Sequence, residues 1–499
     1  MIRKYCEELK EHINIRENLS LLRGEIKDAK VRQECAELIG DGAFLIRFLE
    51  SDEPKVRKNA ALLIGDLKLE KATGSLLRAY ENETTLFVKS SYLAALGKLD
   101  ATEYLEVFKE RRAQLTSVEI AENEKKHISE ELRELEKLIT GIEGIKRHRF
   151  VGLAASRDIL LATNRELRNV TMAEVSELSA EVRRSVSLHP LGVLVHTKDL
   201  IPFTKLRTYR ELLFPIRTSG KLSARPQEAA EAVWNSDMPR MLRESHKEDA
   251  PFYFRLELKS RMELDKKSVF AKRFSAELER LSGRMLVNST RDYEVEIRLV
   301  ETKDGGFVAF YKLFTLSMKR FAYRRNAIAA SIHPATAAML VQLAKPYLQE
   351  NAQILDPFCG VGTMLIERDI CVPAREKYGI DIFGDAIHMA RENATAAGEQ
   401  INFINRDYLD FKHAYKFDEI ITNMPVRGKK SKEEMDEFYA AFFEKSKEIL
   451  APGAVIVMYT NEEGFVKKQL RLHSEYRMQQ EYCVREKDHF YLFVIKYRG

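Results

Sequence analysis

The residues best placed to do chemistry lie between positions 356 and 427. Asp356, Asp381 and Asp407 close three successive strand-like runs, Ile354-Leu355-Asp356, Gly379-Ile380-Asp381 and Asn405-Arg406-Asp407. Asn423-Met424-Pro425 closes a fourth, Phe417–Asn423. One acidic strand end is commonplace, but three in succession suggest acceptors gathered around one ligand rich in N–H and O–H groups. Between Asp356 and the next helical run, which begins at Thr363, lies Cys359-Gly360-Val361-Gly362. Glycines let the backbone approach a ligand closely, and a helix N-terminus offers free N–H groups. An acid at the end of the second strand suits the hydroxyls of a ribose. A dinucleotide fingerprint would carry a third glycine at position 365, which is Leu365. The pattern therefore points to a nucleoside-type cofactor of another kind.

These side chains need a scaffold that brings strand ends together. Strand-like runs at 354–358, 377–382, 402–407, 417–423, 453–460 and 488–496 alternate with helical segments. That alternation predicts an α/β Rossmann-like domain over 323–499 with a doubly wound parallel sheet. Its ligand should sit at the carboxyl ends of the strands, where the strand order reverses.

The run Asp356-Pro-Phe-Cys-Gly-Val-Gly-Thr363 resembles the first motif of S-adenosylmethionine-dependent methyltransferases that act on nucleic acid. The resemblance implies S-adenosyl-L-methionine as cofactor. Its methionine part would lie on the turn containing Phe358, Gly360, Gly362 and Thr363, with its ammonium on Asp356. Asp381 would take the ribose hydroxyls and Asp407 the adenine amine. Asn423-Met424-Pro425-Val426 resembles the Asn-Pro-Pro-aromatic signature of enzymes that methylate exocyclic amines on bases. In that family the Asn side-chain oxygen and the next backbone carbonyl accept the amine hydrogens. The catalytic set is then Asn423, Met424 and Pro425. Two positions depart from the pattern. Met424 replaces a proline, which a backbone role tolerates. Val426 replaces the aromatic that stacks on the target base, a contact worth about 1–3 kcal/mol. Arg427, Phe438 and Tyr439 lie near enough in sequence to supply it. The segment Ser331-Ile-His333-Pro-Ala-Thr336 resembles the His-Pro-Thr segment that precedes the cofactor motif in THUMP-linked RNA methyltransferases, although His333 also fits a simple helix cap. Cys359 lies in the cofactor turn and not at the substrate strand, which argues against a cysteine nucleophile.

The region 145–322 mixes strands and helices. Strands are expected at 149–154, 252–258 and 293–300, with a helix at 266–281 and a helix start at 164–167. Asp304-Gly305-Gly306 should turn the third strand into Phe307–Leu313. With the run Leu286–Thr290, this order of elements resembles the THUMP RNA-binding domain. Lys319-Arg320-Phe-Ala-Tyr-Arg324-Arg325 interleaves cations with aromatics. Cations suit phosphate and aromatics suit unpaired bases, so Lys319, Arg320, Arg324, Arg325 and Arg427 are the candidate substrate contacts. Residues 1–144 repeat one helical pattern from Val31, Val56 and Val88, each run reaching a glycine at 40, 65 or 97. The pattern resembles short HEAT-like repeats and implies a docking surface for a protein partner or for RNA. A charge-rich last exposed helix is expected over 121–139.

Length and composition frame these readings. A chain of 499 residues exceeds one ordinary domain, and its formal charge of +5 requires any RNA contact to be a local patch. The five cysteines show no Cys-x-x-Cys pair, so neither zinc nor a disulfide framework is expected. The charged start, Met1–Glu8, lacks the apolar core of a leader, and no apolar run suffices to span a membrane. Together these parts resemble the THUMP-containing RNA guanosine N2-methyltransferases, which implies a cytoplasmic enzyme acting on a guanosine N2 amine of tRNA or ribosomal RNA. Adenine N6 methylation of DNA or RNA, or a non-catalytic adaptor, are the rivals.

Overall fold

The computed structural model describes residues 2–117, 124–143 and 147–499. The chain divides into two compact units, one ending at Arg147 and the other beginning at His148. The expected boundary at 144–145 lies outside the described residues, as do residues 121–123 of the expected last helix.

The first unit is wholly helical among its described residues. The three repeated runs form helices Ala29–Ile39, Pro54–Asp66 and Leu86–Leu96. Pro54 opens the second, where its missing N–H costs nothing. Gly40 ends the first in a left-handed conformation, φ +67°. Gly65 does not end the second. It lies within that helix, and a Cβ there would come 2.7 Å from the Ala95 Cα. Gly65 thus permits close contact between neighbouring repeats. The last helix, Lys125–Glu143, is not merely an exposed charged helix, since it buries Leu132, Leu135, Leu138 and Ile139. Polar groups tie the interior together. The Tyr80 hydroxyl donates to Glu131 at 2.6 Å, and Arg111 donates to the same carboxylate at 2.9 Å.

The second unit contains two sheets. The first has eight strands: β1 (Arg157–Ala162), β2 (Val186–His189), β3 (Gly192–Thr197), β4 (Glu211–Pro215), β5 (Phe252–Lys259), β6 (Leu286–Asn288), β7 (Val295–Glu301) and β8 (Phe307–Leu313), in the order β2-β3-β1-β4-β8-β7-β5-β6. The 252, 293 and 307 strands and the 266–281 helix appear where the patterns placed them, within two residues. Residues 149–154 do not form the expected strand. Phe150 makes a single bridge with His246, and Gly152 leaves extended geometry at φ +111°. Helix Leu264–Leu281 packs Phe270, Phe274 and Leu278 into the core of this sheet.

The second sheet comprises β9 (Gln353–Asp356), β10 (Glu376–Asp381), β11 (Asn402–Asn405), β12 (Phe417–Asn423), β13 (Leu450–Thr460), β14 (Tyr476–Arg485) and β15 (Phe490–Tyr497). Their order is β11-β10-β9-β12-β13-β15-β14. The first five are parallel, and β15 and β14 are antiparallel additions. The sheet is therefore mixed and not wholly parallel as expected. The strand order reverses between β9 and β12. Helix Thr363–Cys371, which follows β9, is braced on both sides. Arg368, fully buried, makes a two-pronged ion pair with Glu419 of β12 at 2.9 and 2.7 Å. Its neighbour Glu367 accepts two bonds from Arg207, both 2.8 Å, and one from the Tyr323 hydroxyl at 2.5 Å.

Candidate active site

Asp356 ends β9, Asn423 ends β12 and Asp381 ends β10, so the reversal of strand order places all three at one edge of the sheet. A cleft of about 500 Å³ opens there. Asp356, Phe358, Gly360, Thr363, Asp381, Asn423, Met424 and Pro425 all line it. Among the described residues, no group of His, Cys, Asp and Glu has the makings of a metal site.

The turn after β9 is held by backbone hydrogen bonds. The Cys359 N–H donates to the Ile380 carbonyl at 2.9 Å, and the Gly360 N–H donates to Asp381 Oδ2 at 2.9 Å. Asp381 Oδ1 accepts from the Phe383 N–H at 3.0 Å. Asp381 thus anchors the turn to β10, and each carboxylate oxygen retains capacity for a further donor. Gly360 and Gly362 take left-handed conformations, φ +50° and +83°. A Cβ on Gly360 would meet open space, whereas one on Gly362 would press on the Phe403 ring at 3.0 Å. Gly360 leaves room for a ligand, and Gly362 packs the turn on the sheet. The Thr363 hydroxyl is buried in the cleft wall without a hydrogen-bond partner. Asp356 is 1% exposed, and its Oδ1 accepts from the Phe358 N–H at 3.1 Å. Burial, reinforced by the Asp381 charge, pushes the Asp356 carboxyl up to about 7. A buried carboxyl, an unmatched hydroxyl and a bare glycine turn suit a ligand with a cationic amine and further polar groups. Burial also pushes the Cys359 thiol well above its usual range, which removes it as a thiolate nucleophile.

Asn423 is half-buried at the mouth of this turn, and its side-chain amide makes no hydrogen bond to any described residue. The Met424 N–H donates to the Tyr459 carbonyl at 2.9 Å, which fixes the backbone that follows Asn423. Val426 lines the cleft and is 55% exposed. The candidates to replace it differ in position. Tyr439 is buried with its hydroxyl bound to Thr460 at 2.6 Å, so it is not available for stacking. Phe438 packs on Phe358 at 5.4 Å, and Arg427 lies on the exposed loop, donating to the Lys430 carbonyl at 3.0 Å.

Several other expected residues lie outside the cleft lining. Asp407 is exposed and caps the turn Tyr408–Asp410 by accepting from the Leu409 N–H at 2.9 Å. Arg320 is not a free phosphate contact. Its guanidinium donates to the Leu206 and Arg210 carbonyls at 2.6 and 2.9 Å and lies 3.6 Å over the Tyr209 ring. Arg320 therefore braces the segment behind the cleft. Arg324 is half-buried and reaches the Ile332 carbonyl at 3.4 Å, while Lys319 and Arg325 are exposed. His333 lines the cleft and caps helix Pro334–Ala344, its Nδ1 accepting from the Ala335 N–H at 3.1 Å. Burial, with Arg210, Arg324 and Arg320 nearby, holds its imidazole down to about 4, so it is neutral at neutral pH.

The cleft also recruits residues that local patterns did not single out. Asn164 and Arg210 reach it from the first sheet's side, Phe383 stands 65% exposed on its rim, and Tyr459, Arg485 and Phe490 form a wall beside Asn423. Asn164 donates to the Val484 carbonyl at 2.7 Å. No motif marks these positions, which come together only through long-range strand order.

Comparison with known proteins is consistent with this architecture. Residues 322–491 match the family model UPF0020, described as RMKL-like, methyltransferase domain. A tRNA (guanine(10)-N2)-dimethyltransferase of Methanothermobacter thermautotrophicus is 28% identical over 155 residues, 30% of this chain and 45% of that protein. The chain thus spans less than half the length of that relative. TrmN from Thermus thermophilus shares the fold, with a TM-score of 0.50 at 19% identity over 69% of this chain and 100% of its own. A predicted N6-adenine-specific DNA methylase from Listeria monocytogenes shares it with a TM-score of 0.51, at 17% identity over 69% and 97%.

Proposed function

We propose that this chain methylates the exocyclic N2 amine of a guanosine in tRNA or ribosomal RNA, with S-adenosylmethionine as donor. The carrying observation is the convergence of Asp356, Asp381 and Asn423 on one cleft at the reversal of strand order. The methyltransferase family match over the same residues supports methyl transfer, and the guanine-N2 relative favours this reading over adenine N6. Within it, Asp356 pairs with the donor's ammonium, and Asp381 accepts from its ribose hydroxyls. Phe358, Gly360, Gly362 and Thr363 shape the seat, and the exposed Phe383 ring flanks the adenine. Asp407, exposed just beyond β11, accepts from the adenine amine. Asn423 accepts one amine hydrogen of the target through its side-chain oxygen, and the Met424 carbonyl accepts the other. The nitrogen lone pair then points into the cleft. Pro425 restricts Met424 to extended geometry, which holds that carbonyl in place. When bound, the donor supplies an already activated methyl group, so no strong base is asked of the protein. Positioning of this kind is worth up to roughly 7–11 kcal/mol.

The chain organisation follows the same reading. Residues 1–144 serve as a HEAT-like docking domain for a protein partner, 145–322 as a THUMP-like RNA-binding domain, and 323–499 as the methyltransferase domain. Lys319, Arg324, Arg325 and Arg427 lie on exposed or half-buried loops suited to backbone phosphates, as expected for a nucleic-acid substrate. Among the described residues no helix is long and apolar enough to cross a membrane, and a cytoplasmic setting fits the five free thiols.

Purified protein incubated with labelled S-adenosylmethionine and bulk small RNA tests the proposal. Label in N2-methylguanosine supports it. Label in N6-methyladenosine would reassign the base, and absence of label on RNA and DNA would favour the adaptor reading.

A further inference from the structure

The Asn423 strand end lacks its usual aromatic neighbour, and Val426 offers only an aliphatic surface in its place. The wall beside that strand end offers something else. The hairpin between β14 and β15 turns at 486–488 and returns through His489, a left-handed residue at φ +55°. Arg485 and Phe490 face each other across its base, in register, and both line the cleft. The Arg485 guanidinium lies 4.1 Å over the Phe490 ring, and Phe490 stacks in turn on Tyr459 at 5.0 Å and 30°. Tyr459 is the register partner of Asn423. Three planar groups therefore form a stack that begins beside Asn423. Asp488 holds one end of the guanidinium at 3.3 Å, while its Nε is buried without a hydrogen-bond partner. The Asn164 bond to the Val484 carbonyl fixes this hairpin from the first sheet's side.

We infer that Arg485 grips the flipped-out target nucleotide, supplying the planar contact that Val426 cannot. A guanidinium stacked on an aromatic ring is a flat cationic surface on which a base can lie. The planar guanidinium offers a stacking face that an ammonium does not. Arg485 is thus a substrate-binding residue, distinct from the cofactor seat. The inference rests on the proposed RNA guanine-N2 activity.

The test compares wild type, Arg485→Ala and Arg485→Lys in the full chain, using bulk small RNA and labelled S-adenosylmethionine, with a separate titration of the cofactor. Arg485→Ala should raise KM for RNA at least tenfold and leave cofactor affinity within twofold. Arg485→Lys, which keeps the charge and loses the plane, should not restore KM. An Arg485→Ala KM within twofold of wild type overturns the inference, as does full rescue by Lys, which would reduce Arg485 to a point charge. A wild-type protein that binds cofactor but labels no RNA would overturn the functional reading itself, and this inference with it. Unchanged cofactor affinity guards against misfolding as the cause of a KM effect.

Discussion

The two units both use buried polar residues as braces, but the second also gathers polar side chains at strand ends around a cleft. Residues 1–147 carry 26 Lys and Arg against 28 Asp and Glu, while residues 148–499 carry 55 against 48. In the helical unit, buried polar groups hold helices to one another, as Tyr80, Glu131 and Arg111 do. In the sheet unit, polar groups are delivered to strand ends where regular structure stops, and several are left with capacity to spare. Asn423 lies half-buried at its strand end, Thr363 has an unmatched hydroxyl and Asp356 a buried carboxyl raised to about 7. Repetition thus marks a stack of helices that cover one another, and incompletely satisfied strand ends mark a chemical site.

The contrast can be broken most severely at its central strut. Arg368→Ala leaves Glu419 as an unpaired charge between helix Thr363–Cys371 and β12. Loss of one partner of such a buried pair costs about 3–5 kcal/mol. Urea denaturation of the full chain should show that loss together with weakened cofactor binding. A shift below about 1 kcal/mol would mean that the helix does not depend on this pair. Gly65→Val addresses the other unit. Its Cβ would come 2.7 Å from the Ala95 Cα, so overpacking should cost about 1–3 kcal/mol. Cofactor affinity measured by calorimetry should stay unchanged, and a parallel loss would dissolve the distinction between the units.

A smaller effect comes from Asp356. Its carboxyl lies at about 7 in the folded protein and about 3.9 when unfolded. The folded state therefore binds the extra proton between these values, and this group's contribution to stability falls as pH rises from about 4 to 7. Pairing with an ammonium favours the ionised form. Cofactor affinity should accordingly rise with pH, by at most about tenfold per unit below 7, and level off above it. Asp356→Asn should abolish that dependence, and an equally steep profile in the variant would assign it elsewhere.

Much of the second sheet was legible because its strands are apolar runs closed by polar residues, among them Asp356, Asp381, Asn405 and Asn423. Asp356 through Thr363 announces both the turn and its neighbours. Strand β14 was not legible. It is an edge strand with Gln479, Gln480 and Glu481 in its middle and two register shifts, so it shows no apolar alternation. The same blind spot hid Arg485. The opening strands of the first sheet were missed too, and Arg320 was misread. A cation beside aromatics looks alike in sequence whether it faces phosphate or, as here, backbone carbonyls. Arg368 and Glu419 lie 51 positions apart, beyond any local pattern. Gly65 matched the repeat, but its role required the neighbouring helix to be in view.

The central claim is that Asp381 and Asn423 serve one site in different roles, Asp381 holding the cofactor and Asn423 the target amine. Titration of Asp381→Ala and Asn423→Ala with S-adenosylmethionine, followed by methyl transfer to small RNA, separates those roles directly. The account predicts at least tenfold weaker cofactor binding for Asp381→Ala. It predicts near wild-type binding for Asn423→Ala, with transfer reduced about 100- to 1000-fold. Equal binding by both variants and wild type, or transfer that survives without Asn423, would contradict it.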